Sequence, residues 1–120
     1  MIRIGLVFAA LLLAAAAAEA ADAEHGKEVF QRCAPCHGPA GAGTENGPSL
    51  VGVVGRKAGS VEAFRYSPPM KRSALTWDAA TLKAFVAEPQ AVVKGTRMPF
   101  DGLKDPVDAA DVVAYLATLR

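Results

Sequence analysis

Two cysteines and a histidine stand close together near the start of the chain, in the run Cys33-Ala34-Pro35-Cys36-His37. Cysteines three positions apart on a helical turn project to one side, so both sulfurs can reach one ligand. The pattern C-x-x-C-H is typical of haem attachment, in which both thiols bond to the porphyrin and the histidine directs a ring nitrogen at the iron. The motif therefore predicts one covalently bound haem c.

Three other chemistries fit these residues less well. A thioredoxin-type redox site would require a βαβ setting, and the sequence shows no strand pattern. A structural disulfide at this spacing would be awkward on a helix. A structural zinc site normally needs four ligands, and the chain has only two cysteines and two histidines, Cys33, Cys36, His25 and His37.

The second axial ligand of such an iron is a choice among three residues. A thioether stabilises reduced iron and raises the potential, which suits a carrier and points to Met70 or Met98. His25 would instead give bis-histidine ligation. Met98 lies in a loop whose glycine, threonine and proline prevent a helix, whereas Met70 follows two prolines and could equally be core packing. The loop context favours Met98 but leaves the choice open.

The bulk composition bounds the possible functions. A chain of 120 residues that is 52% apolar and 21% charged is long enough for one globular domain. A net charge of +1 gives no case for binding nucleic acid. Residues 1–20 contain Arg3, an uncharged run and Ala18-Glu19-Ala20, which predicts a signal peptide cleaved near Ala20/Ala21 before a domain over residues 21–120. The run is short for a membrane span of about 20 residues, so we expect a periplasmic protein rather than a retained N-terminal anchor.

The elements that must position the motif are all helices, and the predicted fold class is all-α. Helical periodicity and capping residues predict five helical elements. They cover residues 22–34, a short helix that begins at Ser67-Pro68-Pro69, and residues 77–87, 90–93 and 106–119. Thr76 is the predicted cap of the third element and Asp105 that of the last. The many glycines and prolines between residues 38 and 59 predict a long loop. We expect this loop to wrap the haem, because long loops in small domains usually enclose something.

With these pieces in order, the chain resembles class I cytochromes c of the mitochondrial-like bacterial type, from about residue 26 to 119. The matching pieces are Gly26 with Phe30, residues 33–37, 47–50 and 55–59, Thr76-Trp77, residues 94–98, and Tyr115-Leu116. The resemblance implies a class I cytochrome c fold of three to five helices around one covalent haem. It also implies that Gly26 lets the first helix cross the last one closely beside Tyr115.

The resemblance further implies roles for individual side chains. Met98 would be the sixth iron ligand, and Pro48 would accept a hydrogen bond from the far ring nitrogen of His37. Arg56, Tyr66 and Trp77 would surround a buried haem propionate, and Thr96 would lie at the other propionate or the backbone, as follows from their matching positions.

The sequence departs from the family pattern at two kinds of position. Phe85 and Met70 stand where the family commonly has tyrosine and asparagine, which predicts a drier pocket beside the methionine ligand. Gln90 and Ala91 replace lysines of the mitochondrial proteins, so charge should steer partner docking less, although Lys27, Arg32, Arg97 and Lys104 remain.

The predicted function is a soluble one-electron carrier rather than an enzyme, with His37 and Met98 as axial ligands. It would shuttle electrons among periplasmic or membrane redox complexes, such as a quinol-oxidising complex, a dehydrogenase or a terminal oxidase. We expect a monomer that meets the membrane only through its partners. The alternatives are a peroxidase-like or ligand-binding haem enzyme, and a dedicated cytochrome subunit of a dehydrogenase.

Overall fold

A computed structural model describes residues 20–120, so residues 1–19 of the predicted signal peptide lie outside the described residues. The six α-helices are α1 (Ala23–Val29), α2 (Ala34–His37), α3 (Pro68–Arg72), α4 (Ala79–Ala87), α5 (Pro89–Val92) and α6 (Pro106–Leu116). Over these residues the β-structure is limited to two isolated bridges. None of the helices within residues 20–120 has the length and apolar character needed to cross a membrane.

The N-terminal helical region is divided into pieces, where the sequence predicted one helix over residues 22–34. Helix α1 is followed by a 3-10 turn over Phe30–Arg32, and α2 then continues past Pro35. Pro35 lies in the first turn of α2, where a missing N–H costs no helical hydrogen bond. Gly38, with φ of 83°, ends α2 directly after the motif.

Helix α4 begins two residues later than predicted, and its cap is Asp78 rather than Thr76. The Asp78 carboxylate accepts a hydrogen bond from the Thr81 N–H at 2.7 Å. Thr76 is instead held in an antiparallel bridge with Lys57. Trp77 continues this extended segment, because its N–H donates to the Arg56 carbonyl at 2.8 Å.

Helix α6 begins as predicted and ends earlier. The Asp105 side chain caps it by accepting from the Val107 N–H at 2.8 Å, and Pro106 occupies the first turn. The helix ends at Leu116 rather than 119, and the last residues form turns. The loop over residues 38–59 has no α-helix, in agreement with the prediction, and Gly52 N–H ties it to the Leu119 carbonyl at 2.7 Å.

Helices α1 and α6 cross closely, and this contact closes the core. A Cβ atom on Gly26 would lie 1.9 Å from the Asp111 carbonyl oxygen, so only glycine permits this approach. One turn further on, the rings of Phe30 and Tyr115 pack with centroids 5.1 Å apart. The crossing implied by the family resemblance is therefore present.

A buried carboxylate at the same crossing holds the start of α1. Asp111, only 5% exposed, accepts hydrogen bonds from the Asp22 N–H at 2.8 Å and from His25 Nδ1 at 2.7 Å. The other ring nitrogen of His25 lies 3.9 Å from Asp108 Oδ1. His25 is therefore engaged in a helix-to-helix contact, and it is absent from the wall of the cavity described below.

This His25–Asp111 pair gives folding stability a pH dependence. The hydrogen bond to Asp111, reinforced by Asp108 and Glu28, raises the pKa of His25 above its ordinary value of 6.5. The pair's contribution is therefore complete below about pH 6.5 and is lost as pH rises through the raised pKa. The Asp22 N–H and then His25 lower the pKa of Asp111, so its contribution is complete above about pH 4 and fades in stronger acid.

We expect His25→Gln to lower the urea midpoint of the holoprotein more at about pH 5.5 than at about pH 8. Lys27→Gln on the same helix is the control, because Lys27 is exposed and forms no ion pair within residues 20–120. A His25→Gln effect of equal size at both pH values would contradict the ion pair.

Candidate functional site

All nine side chains predicted for the site line one cavity of about 490 Å³. They are Cys33, Cys36, His37, Pro48, Arg56, Tyr66, Trp77, Thr96 and Met98. They come from α2, the long loop, the bridge segments and the loop before α6. The wall is mainly apolar, with Phe30, Val53, Leu82, Val112 and Leu116 reaching it from the core.

The two cysteines enter the cavity from the α2 turn as half-buried free thiols. Their helical spacing is fixed by the backbone, since the His37 N–H donates to the Cys33 carbonyl at 2.9 Å. Burial raises the pKa of the Cys33 thiol, so this side chain is protonated at neutral pH. The pair thus presents neighbouring thiols to the same apolar space.

The imidazole of His37 is held in a defined tautomer. Its Nδ1 lies 2.9 Å from the Pro48 carbonyl oxygen, which can only accept, so Nδ1 carries the proton and Nε2 keeps a free lone pair. Burial lowers the pKa of His37, which keeps the ring neutral at physiological pH. A neutral imidazole with one oriented lone pair is a ligand for a transition metal. The hydrogen bond to Pro48 that the resemblance implied is present.

Gly47 is a positioning residue whose role the sequence reasoning missed. A Cβ atom there would lie 2.9 Å from His37 Nδ1 and 2.8 Å from the Cys36 carbonyl oxygen. Only glycine therefore lets the Pro48 carbonyl approach the ring. The Gly47-Pro48 pair was the available signal, but spacing alone does not show which residue it would meet.

Met98 reaches the cavity from the loop between α5 and α6. Its N–H lies 3.4 Å from Thr96 Oγ1, and the neighbouring Arg97 guanidinium donates to the Tyr66 carbonyl at 2.7 Å. Met70 also lines the cavity, but from α3, where it is 8% exposed and belongs to the core cluster. Both methionines thus remain on the wall, one on a loop and one on a helix.

An unsatisfied cation lies on another part of the wall. Arg56 Nε is buried, and no atom of the described residues accepts its hydrogen bond, while its Nη1 reaches the Val51 carbonyl at 3.4 Å. Burial lowers the pKa of Arg56. Tyr66 accepts from the Val61 N–H at 3.2 Å, so its own hydroxyl proton is available. These groups suit an anionic substituent of a bound molecule.

The two departures from the family pattern also reach this cavity. Phe85 is buried and packs on the Trp77 ring with centroids 4.9 Å apart, and Met70 is buried beside them in the same core. Both of these wall side chains are apolar, and the drier pocket remains a prediction.

The residues of the cavity fit a covalently held haem. Two thiols, one oriented neutral imidazole and a thioether would meet its vinyl groups and its iron. The guanidinium of Arg56, whose buried Nε has no acceptor within residues 20–120, would meet a propionate. The apolar remainder of the wall suits a porphyrin face.

Comparison with known proteins decides which family this site belongs to. The profile of the family described as cytochrome c matches residues 23–120. The chain is a member of the cytochrome c family. Its similarity to the cytochrome c2 of Rhodomicrobium vannielii amounts to 51% identity over 119 residues, covering 98% of this chain and 94% of that protein.

Solved structures agree with this assignment. Cytochrome cH from Methylobacterium extorquens aligns with a TM-score of 0.72 at 41% identity, over 81% of this chain and 98% of that one. Ferricytochrome c2 from Rhodopseudomonas palustris aligns with a TM-score of 0.75 at 39% identity, over 82% and 99%. The predicted family, all-α cytochrome c fold and c-type haem are therefore confirmed.

Family membership also decides the class of activity. Cytochromes of this kind carry one covalent haem and transfer electrons, so the protein is an electron carrier rather than an enzyme. The thiol–disulfide and zinc interpretations of Cys33 and Cys36 are accordingly set aside.

Proposed function

We propose that this cytochrome is a one-electron carrier in which Cys33 and Cys36 bind the haem covalently and His37 and Met98 are its axial ligands. The observation that carries the proposal is that all four side chains line one apolar cavity. When bound, the haem supplies an iron that alternates between Fe(II) and Fe(III). The described residues then act by holding, orienting and shielding it.

The covalent step needs only the two thiols and two vinyl groups. Cys33 and Cys36 would each hold the haem through a thioether, made when the S–H adds across a vinyl C=C with sulfur on one carbon and hydrogen on the other, so that no oxidant or reductant is needed. Permanent attachment suits a small carrier that would otherwise lose its haem by dilution.

Two axial side chains leave no open position for a substrate, which favours a carrier over the peroxidase-like alternative. The Pro48 carbonyl orients His37 and increases its basicity, while the thioether of Met98 favours reduced iron. Arg56, Tyr66 and Trp77 would offset the cost of burying one propionate, and Thr96, in the loop that carries Met98, would lie at the other propionate or the backbone. A rigid wall of buried side chains keeps the rearrangement between redox states small.

Electrons would leave through the edge of the haem near Cys36. There the exposed Arg32 guanidinium carbon lies over the half-buried Phe100 ring, 5.4 Å from its centroid. Partners would be other redox proteins of the periplasm or membrane, such as a quinol-oxidising complex, a dehydrogenase or a terminal oxidase. Electrostatic attraction of acidic partner proteins should be weak, because Gln90 and Ala91 are neutral and Lys104 is paired with Glu88 at 3.0 Å. Residues 1–20 would direct export to the periplasm and would be removed in the process.

The experiment that tests the attachment is a pyridine haemochrome spectrum of the purified holoprotein and of Cys33→Ala and Cys36→Ala. We expect the native protein to show a haem with no free vinyl group, and each variant to show a haem with one. Covalent haem is lost only when both cysteines are replaced.

Other outcomes would point elsewhere. A native protein without covalent haem would contradict the proposal. High-spin iron that binds carbon monoxide readily would favour the peroxidase-like alternative. Stable co-purification with a dehydrogenase would favour a dedicated subunit.

A further inference from the structure

The loop that carries Met98 is fixed on its C-terminal side, where the buried Leu103 donates its N–H to the Val86 carbonyl at 2.8 Å. It contains no helix between the end of α5 at Val92 and the start of α6 at Pro106. Gly95 has a φ of 88°, and a Cβ atom on it would lie 3.0 Å from Pro69 Cγ. The position of Met98 therefore depends on the contacts that hold the turn at Gly95 and Thr96.

One side chain from α5 holds both sides of the turn. Gln90 Oε1 accepts a hydrogen bond from the Gly95 N–H at 3.0 Å, and Gln90 Nε2 donates to the Thr96 carbonyl at 2.9 Å. Both ends of the amide are used, and a reversed amide would place donor against donor and acceptor against acceptor. The contact ends two residues before Met98.

The residues of α5 and its end that flank Gln90 are buried and hydrogen-bonded to each other. Pro89, directly before Gln90, is among the most buried residues of the chain, and Val93 is 3% exposed. The Val93 N–H donates to the Pro89 carbonyl at 2.9 Å, which closes the turn of α5. Gln90 itself is exposed, so its side chain can be changed without opening the core.

We propose that Gln90 is a positioning residue that holds the 95–98 loop so that the Met98 sulfur stays at the iron. This inference rests on the proposed function, because it assumes Met98 ligation. Without the Gln90 amide, the Gly95 N–H and the Thr96 carbonyl would turn to water. The loop would then keep mainly the Thr96 N–H to Val93 bond at 3.0 Å and the Arg97 contact with Tyr66. Met98 would be displaced more easily by an added ligand.

The test is to titrate the oxidised holoprotein with imidazole. Binding is monitored by the loss of the sulfur-to-iron absorption band. Because Gln90→Ala removes two hydrogen bonds from the loop, we expect this variant to bind imidazole about tenfold more tightly than the native protein does. Gln90→Glu keeps the acceptor for Gly95 but loses the donor to Thr96, so its affinity should lie between the two. Gln31→Ala is the matched control, since Gln31 is exposed and has no side-chain hydrogen bond within residues 20–120.

Urea unfolding separates positioning from general structural support. Tighter imidazole binding with an unfolding midpoint close to native supports the inference. An affinity within twofold of native, or a change matched by Gln31→Ala, would overturn it. A parallel fall in the unfolding midpoint, large enough to explain the affinity change, would also overturn it. Absence of the sulfur-to-iron band from the native protein would instead show that the proposed Met98 ligation is wrong.

Discussion

Replacing Met98 by alanine should abolish the sulfur-to-iron band of the oxidised holoprotein and lower its reduction potential. A thioether stabilises Fe(II) relative to a nitrogen or oxygen ligand, so its loss favours the oxidised form. The expected fall is on the order of 100 mV, a fraction of the roughly 0.8 V that axial ligands span. A near-infrared absorption spectrum and a redox titration measure the two effects.

The matched control is Met70→Ala, because Met70 is the other methionine on the cavity wall. The band should persist in this variant, since Met70 is fixed on α3 within the core cluster. Its replacement should instead destabilise the fold by about 2–5 kcal/mol, as large-to-small core substitutions do. If Met70→Ala removes the band and Met98→Ala does not, the assignment of the sixth ligand is wrong.

The features that sequence could predict are those set by neighbours along the chain. The caps formed by Ser67 and Asp105 each act within three residues, and both are present in the structure. The motif at residues 33–37 likewise works through one helical turn. Local rules suffice for such features because the partners are fixed by covalent spacing.

The predictions that were wrong concern residues whose partners are distant in sequence. Thr76 is as good a cap as Asp78 by local rules, but its backbone pairs with Lys57, so the extended segment continues through Trp77. A tertiary contact thereby moved the start of α4. His25, which the sequence left open as an alternative ligand, is paired in the structure with Asp111, 86 positions away.

The sequence predicts which residues line the cavity better than it predicts the hydrogen bonds that these residues make. Every predicted residue reaches the cavity, but the sequence gives no sign that Arg56 Nε is buried without an acceptor among the described residues. Gln90 was noted only as a missing positive charge, and its two bonds to the Met98 loop emerge from the path of the chain after α5. Such contacts depend on side-chain geometry that periodicity does not encode.

The second large effect is expected at the helix crossing, where Gly26→Ala should destabilise the holoprotein by roughly 3 kcal/mol or more. Two effects of opposite sign compete there. Alanine favours a helix over glycine by about 0.8–1.0 kcal/mol, which would stabilise α1. However, the new Cβ would lie 1.9 Å from the Asp111 carbonyl oxygen, and the nearest atoms are backbone, which cannot move aside as a flexible side chain would.

The steric clash should outweigh the gain in helix propensity, because relieving the clash requires α1 to move away from α6. That movement would strain the Phe30–Tyr115 contact and the hydrogen bonds from Asp22 and His25 to Asp111. Urea unfolding followed by circular dichroism measures the loss, and Gly52→Ala is the control. A Cβ on Gly52 meets nothing within 4 Å, so only its positive φ opposes the change, at about 1 kcal/mol. If Gly26→Ala were as stable as the native protein, helix propensity would outweigh contact, and the crossing would have to be looser than the structure shows.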